Sequence, residues 1–403
     1  MGYHPHVGQT LPGQPPAAGA DPSALRAALV QRLLRTGAIR SPAVAAAFRA
    51  VPRERFLPGL APAETYRDDA VVTRRDEGGL PSSSSSQPSI MAIMIEQAAL
   101  ASGQRVLEIG AGTGYNAAVM REVVGPQGRV VTVDIQPDVA EEAEAHLRAA
   151  GYADVVVAVA DGGFGYPGEA PYDCIMLTAS VSDVSPYWRE QLRERGVLVL
   201  PLRLRTLGLS VAFEKHGPVL TSRSITGSGF MHLRGAFGHG DVMVEMGDGL
   251  YLSGPGAREM PLDLLASLLA ERPRALRDLV VSVNSFGLGG GLGIYLALEE
   301  PGVIDIFTTQ PGRWGFHTLS GIFDVEGRSL CLVRQDAVVV YGSDAAARRM
   351  RRRAEEWVAM GRPGVDRLRI EAHPSGGAAG DAHPGRWVIP GRWSTLTVWY
   401  GPV

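Results

Sequence analysis

Three glycines at alternate positions, Gly110, Gly112 and Gly114, follow an apolar run, with Glu108 just ahead of them. Val106 to Ile109 reads as a buried strand and Tyr115 to Val124 as a helix, so the glycines fall in the turn between. Glycine there admits a ligand close to the backbone and supplies φ > 0 where the turn needs it. Acidic residues follow at the ends of later runs. Arg129 to Val133 ends in Asp134, where a nucleoside ribose needs its two hydroxyls gripped. A lone Asp would be read as a helix cap, but the position one strand–helix–strand unit past the glycines favours the ribose. Asp154 to Ala160 then delivers Asp161-Gly162, suited to hydrogen-bonding an adenine edge. Upstream, Ser82 to Ser86 precede the apolar helix Ile90 to Leu100, and offer hydroxyls and free N–H groups to an anion.

Strands must alternate with helices to present these groups together. Tyr172 to Thr178 gives a fourth strand and Gly196 to Leu202 a fifth, with Pro137 to Ala150 the clearest helix. The alternation predicts an α/β fold, a Rossmann-like, doubly wound parallel sheet with its ligand at the strands' carboxyl ends. A dinucleotide fingerprint fits poorly, since its third glycine would fall at Tyr115. Gly-x-Gly-x-Gly behind Glu108 instead resembles motif I of class I S-adenosylmethionine-dependent methyltransferases. The expected cofactor-binding set is Glu108, Gly110, Gly112, Gly114, Tyr115, Asp134, Ile135, Asp161, Gly162 and Thr178. S-adenosyl-L-homocysteine would be the product.

Composition narrows the field. The 403 residues should hold two domains or more, and 45% apolar with 20% charged residues describes an ordinary globular protein. A formal net charge of −3 gives no reason to expect nucleic-acid affinity. Cys174 and Cys331 sit in apolar runs far apart, which predicts buried free thiols, no metal site and a reducing compartment. With neither a signal peptide nor a membrane span in view, the expected location is cytoplasmic.

In chain order, residues 1–22 are rich in Pro, Gly and Ala and read as a disordered tail, His4 and His6 included. Helices are expected from Ser23 to Thr36 and from Ser41-Pro42 to Ala50. Val51-Pro52-Arg53-Glu54-Arg55-Phe56, then Tyr66-Arg67-Asp68-Asp69, then Ser86-Gln87-Pro88, then the glycine loop, resemble the protein-L-isoaspartate O-methyltransferase family. The resemblance spans roughly Leu25 to Lys215. It implies that Ser86 is the catalytic-site residue facing the acceptor, with Ser84, Ser85, Gln87 and Pro88 beside it. The serine run departs from the family's Ile-Ser-Gln-Pro, so the pocket's details do not carry over. An acceptor-binding loop is preferred to a flexible linker because Pro88 and a helix follow at once.

Leu207 to Lys215 and Val219 to Thr226 should end the sheet as an antiparallel pair, and Gly227 to Gly235 marks a boundary. His232, alone in that stretch, reads as structural. Residues 236–403 are expected to form an accessory, peptide-binding α+β domain. Helices are expected there at Leu262 to Leu269 and Asp344 to Met360. Strands are expected at Val280 to Val283, Leu330 to Arg334, Val338 to Tyr341, Arg367 to Ala372 and Thr395 to Tyr400. Gly287 to Gly293 lacks the Lys-Ser/Thr of a phosphate loop. Arg348, Arg349, Arg351, Arg352 and Arg353 read as a solvated helix face. At full length the chain resembles methyltransferases encoded beside lanthipeptides and related modified peptides, the FxLD-type systems among them.

Chemically, a carboxylate acceptor is already ionised near neutral pH, since Asp titrates near ~4. It can attack a sulfonium methyl without a general base, so alignment in a dry pocket is the main requirement. The expected reaction esterifies an aspartate side chain in a modified precursor peptide, leading to succinimide and isoaspartate. Repair of damaged proteins at L-isoaspartate is the alternative. A peptide-binding module without catalysis would need a broken cofactor site. The oligomeric state is open.

Overall fold

The computed structural model describes residues 21–76, 81–238, 243–254, 256–277, 279, 290–334, 337–377 and 385–402. Most of the expected tail lies outside these residues, as do Val280 to Val283 and residues 287–289. Asp21 and Pro22, assigned to the tail, belong instead to the first helix. The Asp21 carboxylate accepts the Ser23 N–H and caps it.

Helices α1 (Pro22–Arg35), α2 (Pro42–Ala50) and α3 (Pro62–Thr65) lead into strands β1 (Val71–Arg75) and β2 (Pro81–Ser85). Then come α4 (Pro88–Ala98), β3 (Arg105–Ile109), α5 (Tyr115–Val124), β4 (Arg129–Asp134), α6 (Pro137–Ala149), β5 (Val156–Val159), β6 (Tyr172–Leu177) and α7 (Pro186–Gln191). Three long strands follow, β7 (Leu192–Leu204), β8 (Leu207–His216) and β9 (Val219–Gly227). The remainder comprises β10 (Val244–Gly247), β11 (Leu250–Ser253), α8 (Leu262–Leu269), β12 (Arg274–Ala275), α9 (Gly291–Glu299), β13 (Val303–Thr308) and α10 (Pro311–Trp314). It closes with β14 (Thr318–Asp324), β15 (Ser329–Val333), β16 (Val338–Gly342), α11 (Ala345–Ala359), β17 (Leu368–Pro374), β18 (Arg386–Pro390) and β19 (Ser394–Tyr400).

Among the described residues the main sheet has ten strands, in the order β18-β19-β17-β9-β8-β7-β6-β3-β4-β5. From β5 to β7 the pairings are parallel, and from β7 to β18 antiparallel. Alternate residues of its strands serve two cores. Val106, Val130, Cys174 and Met176 face α1, α2, α4 and α5, whereas Leu107, Val131, Ile175 and Leu177 face the other way. This is a Rossmann-like, doubly wound sheet extended on its antiparallel side. The turns after β3, β4 and β6 open at one edge, where such sheets bind ligands.

The expected division at Gly235 does not describe the hydrogen bonding. After an excursion, the chain returns to the main sheet, where Glu371 and Ala372 pair with Thr221 and Leu220. Residues 244–342 supply a second, seven-stranded sheet in the order β10-β11-β13-β14-β15-β16-β12. Helix α9 lies between the two sheets. Ile294, Ala297 and Leu298 join the main-sheet core, while Leu292, Tyr295 and Leu296 pack with Met350 and Trp357 of α11 and Ile322 of β14. That position explains a helix apolar on all sides.

The arginine-rich helix is α11. Arg349 and Arg353 are turned to the fully buried Glu300, and Arg349 also meets Asp324 at 3.1 Å. Two of the five arginines therefore tie α11 to the turn after α9, while Arg348 and Arg352 are exposed. Cys174 and Cys331 are buried free thiols, each pushed up to about 12 by burial.

Candidate active site

The glycine turn takes its shape from contacts no larger residue would allow. Gly110, Gly112 and Gly114 all have positive φ, at 103°, 53° and 84°. A Cβ on Gly110 would stand 2.4 Å from Thr178 Oγ1, and that hydroxyl donates to the Gly110 carbonyl at 2.8 Å. Gly114 packs in the same way on Ala143 and Leu147 of α6. Glu108 lies behind the turn and is completely buried. Its two oxygens accept from Asn116 Nδ2 at 2.7 Å and Thr132 Oγ1 at 2.6 Å, which couples β3 to α5 and β4. Burial raises its pKa to about 7, with the Asp134 charge adding to the effect against those two hydrogen bonds.

Asp134 closes the turn from the next strand. Its Oδ2 accepts the Gly112 N–H at 3.3 Å and its Oδ1 the Gln136 N–H at 3.1 Å. An open cleft of about 650 Å³, the solvent at its mouth included, runs past it. Six of the expected cofactor residues line this cleft, namely Gly110, Gly112, Asp134, Ile135, Gly162 and Thr178. Four others do not. Glu108 is buried behind the loop, and Gly114 faces α6. Tyr115 is a core residue, its ring edge-on to Phe48 and Phe56. The Asp161 carboxylate is taken by the Gly163 and Ala236 N–H groups at 2.9 and 2.7 Å.

The serine run is a strand, which corrects the expected loop. Ser82 to Ser85 form most of β2, with Val71 opposite Ser85 and Val72 opposite Ser84. Ser84 and Ser86 line the cleft together with Ser82 and Ser83, whereas Ser85 is buried and Gln87 and Pro88 lie outside it. The sequence motifs before the glycine loop converge here. Arg53 Nη2 donates to the Ser86 carbonyl at 3.1 Å and to Ser85 Oγ at 3.3 Å. Gln87 Nε2 donates to the Asp68 carbonyl, and the Ser89 N–H to the Asp68 carboxylate, both at 2.9 Å. Tyr66 donates to Glu54. Ser86 is thereby fixed at the start of α4, opposite the glycine turn.

Sequence reasoning missed the far wall, Met231 to Arg234. Met231 and Leu233 make backbone bonds with Ser180. His232 Nδ1 lies 3.2 Å from the Ser180 hydroxyl. Arg234 donates to the Ser82 carbonyl at 2.9 Å and also reaches Gln136, joining the serine strand to the segment after Asp134. A histidine and an arginine within a short, glycine-flanked stretch were the available signal.

A parallel sheet ending in a glycine turn, a carboxylate after the next strand and a cleft at that edge define a class I methyltransferase. The residues present fit S-adenosylmethionine, since Gly110, Gly112 and Gly162 line the cleft without side chains and Asp134 lines it beside them. The family model for protein-L-isoaspartate(D-aspartate) O-methyltransferase matches residues 24–235, and the chain belongs to that family, whose methyl donor is S-adenosylmethionine. It is a protein carboxyl O-methyltransferase. The Protein-L-isoaspartate O-methyltransferase of Hyperthermus butylicus is 40% identical over 222 residues, covering 53% of this chain and 90% of the relative. That of Methanopyrus kandleri is 44% identical over 181 residues, covering 44% of this chain and 76% of the relative. A solved protein-L-isoaspartate O-methyltransferase, 26% identical with a TM-score of 0.52, covers 86% of this chain and 96% of its own. That coverage exceeds the span of the family model, so the region after Gly235 is not foreign to such enzymes. No described helix is long and apolar enough to cross a membrane.

Proposed function

We propose that this chain methylates the free carboxylate of L-isoaspartyl residues in proteins or peptides. The observation that carries the reading is the meeting of Ser86 with the glycine turn in one cleft, in a chain of this family. S-adenosylmethionine, when bound, supplies an electrophilic methyl group. Asp134 would hold its ribose, the Gly110–Gly112 backbone would lie along its methionine part, and Gly162 and Ile135 would flank its base. The Ser86 hydroxyl would donate to one carboxylate oxygen and leave the other free to attack. Because the acceptor is already ionised near pH 7, no residue need take a proton, and the chain contributes alignment and exclusion of water. In the ester the following backbone nitrogen displaces methanol and closes a succinimide, which water opens to aspartate or isoaspartate.

A second reading keeps the chemistry and changes the substrate to an ordinary aspartate in a ribosomally made, modified peptide. Its support is the seven-stranded sheet, which meets the main sheet where Arg203 of β7 donates to Ser253 of β11 at 2.6 Å. The extra length is weaker support, because the solved protein-L-isoaspartate O-methyltransferase shares most of it. Methyl transfer from labelled cofactor should be compared on an isoaspartyl peptide, its aspartyl twin and candidate precursors carrying their rings. Rapid labelling of the bare isoaspartyl peptide is the expected result. Labelling of a ringed precursor alone would transfer the proposal to the second reading.

A further inference from the structure

A cation is buried beneath the acceptor end of the cleft. Arg53 has no exposed surface, and it begins a short helical turn, Arg53–Phe56, whose Phe56 is equally buried. Its guanidinium lies over the Tyr115 ring, 5.5 Å from the centroid. Only Nη2 has partners, Ser85 Oγ and the Ser86 carbonyl. Nε and Nη1 have none among the described residues. Asp68 and Asp69 act on Arg53 at long range, but among the described residues no carboxylate pairs with it. The Asp68 carboxylate instead accepts the Ser89 N–H.

Such an arrangement is costly. A buried charge is normally paired, and an isolated one destabilises the fold or shifts its pKa. Burial does pull Arg53 below its ordinary value, yet a guanidinium does not lose its proton in a protein. The positive charge therefore persists, separated from the cleft by Ser85 and Ser86. Its two hydrogen bonds polarise the Ser85 hydroxyl and the Ser86 carbonyl.

The geometry points to Arg53 as the residue that makes the acceptor site select a carboxylate over its uncharged carboxamide. It acts through Ser85 and Ser86, as a positioning and specificity residue. This inference rests on the reading that the acceptor is a carboxylate. An interior charge a few residues' width away is enough for about a tenfold preference.

The test uses the whole chain saturated with S-adenosylhomocysteine, so that no turnover occurs. Calorimetry compares an L-isoaspartyl peptide with its twin in which the free carboxylate is a carboxamide. Wild type should bind the carboxylate form about tenfold more tightly. Arg53→Met should bring the ratio within about twofold while leaving S-adenosylhomocysteine affinity unchanged, and Arg53→Lys should keep most of the preference. A purely structural role would weaken both peptides equally. The inference is overturned if Arg53→Met binds S-adenosylhomocysteine normally and keeps the wild-type ratio. It is overturned too if folded Arg53→Lys loses the ratio, and that arm decides the matter should Arg53→Met fail to fold. Methylation by wild type is scored separately. Failure there on every carboxylate peptide removes the functional reading itself, whereas success with an unchanged ratio in Arg53→Met removes only the role of Arg53.

Discussion

Ser84 and Gly112 meet across the mouth of the cleft, where a Cβ on Gly112 would stand 3.1 Å from the Ser84 carbonyl oxygen. Two stretches that are separate in sequence thus come together at the cleft. The Gly112 N–H reaches Asp134, and two residues beyond Ser84 stands Ser86, held by Arg53. Arg74 of β1 anchors the hairpin to α6 through Asp138 at 3.0 Å and Glu142 at 2.8 Å. If the glycine turn holds the methyl donor and Ser86 the acceptor, as proposed, these contacts join the two sides. Pre-alignment of that kind can lower a transfer barrier by roughly 7–11 kcal/mol.

Asp134 is expected to hold the cofactor's ribose, since its carboxylate lines the cleft and is steadied by two backbone N–H groups. Losing a hydrogen bond to a charged group costs ~1.5–3 kcal/mol. Asp134→Ala should therefore bind S-adenosylhomocysteine roughly 10- to 100-fold more weakly. Calorimetry on the folded variant checks this, and unchanged affinity would take Asp134 out of the binding site.

Ser86→Ala should depress methyl transfer to an isoaspartyl peptide far more than it weakens cofactor binding. Ser82, Ser83 and Ser84 also line the cleft, so some activity should remain. Replacing Ser84 as well should lower turnover further. A parallel loss of cofactor affinity and turnover would show that Ser86 belongs to the donor side.

Much of the parallel half of the main sheet was legible because parallel strands buried on both faces read as continuous apolar runs. Val106 to Ile109, Arg129 to Asp134 and Tyr172 to Leu177 announce themselves, and the residues just after them must sit at one sheet edge. The return of β17, β18 and β19 to that sheet was not legible. Strands pair through backbone groups that every residue carries, so Glu371 gives no sign that Thr221 is its partner. Tyr115 was misplaced for a related reason. The glycine turn fixes where α5 starts, but the Phe48 and Phe56 packing that buries the ring is set by segments far upstream. Arg53 is visible in the sequence only as part of a motif, because burial of a cation cannot be read from spacing.

Glu108 should make stability depend on pH. In the fold it titrates at about 7, against about 4.3 in an unfolded chain, so the folded protein holds this proton more tightly. The contribution is complete below the unfolded value and is lost as pH rises through about 7. The loss is on the order of 3 kcal/mol. Glu108→Gln keeps a partner for both Asn116 and Thr132 and should lack this dependence. Thermal unfolding at pH 5 and pH 8 should therefore favour the variant at the higher pH, and parallel behaviour of the two proteins would refute the assignment.

Ending the chain at Gly235 should not yield a stable methyltransferase. The cut removes β17 from the edge of β9, where Ala372 pairs with Leu220. It also removes Leu368, Ile370, Leu396 and Val398, together with Ile294 and Leu298 of α9, all of them buried in the main-sheet core. Phe213 and Leu220, wholly buried in the intact chain, belong to that same core. Each large apolar side chain returned to water forfeits about 1.5–3 kcal/mol, and the bare β9 edge becomes a template for pairing between chains. The cut chain should unfold at a markedly lower temperature and aggregate on concentration. Thermal unfolding and light scattering of the 1–235 chain test this, and a monomer of near-native stability would restore an independent domain ending at Gly235. Until then, the role of the seven-stranded sheet is better probed by substitutions within it, such as Ser253→Ala at the Arg203 contact, which should leave the main sheet intact.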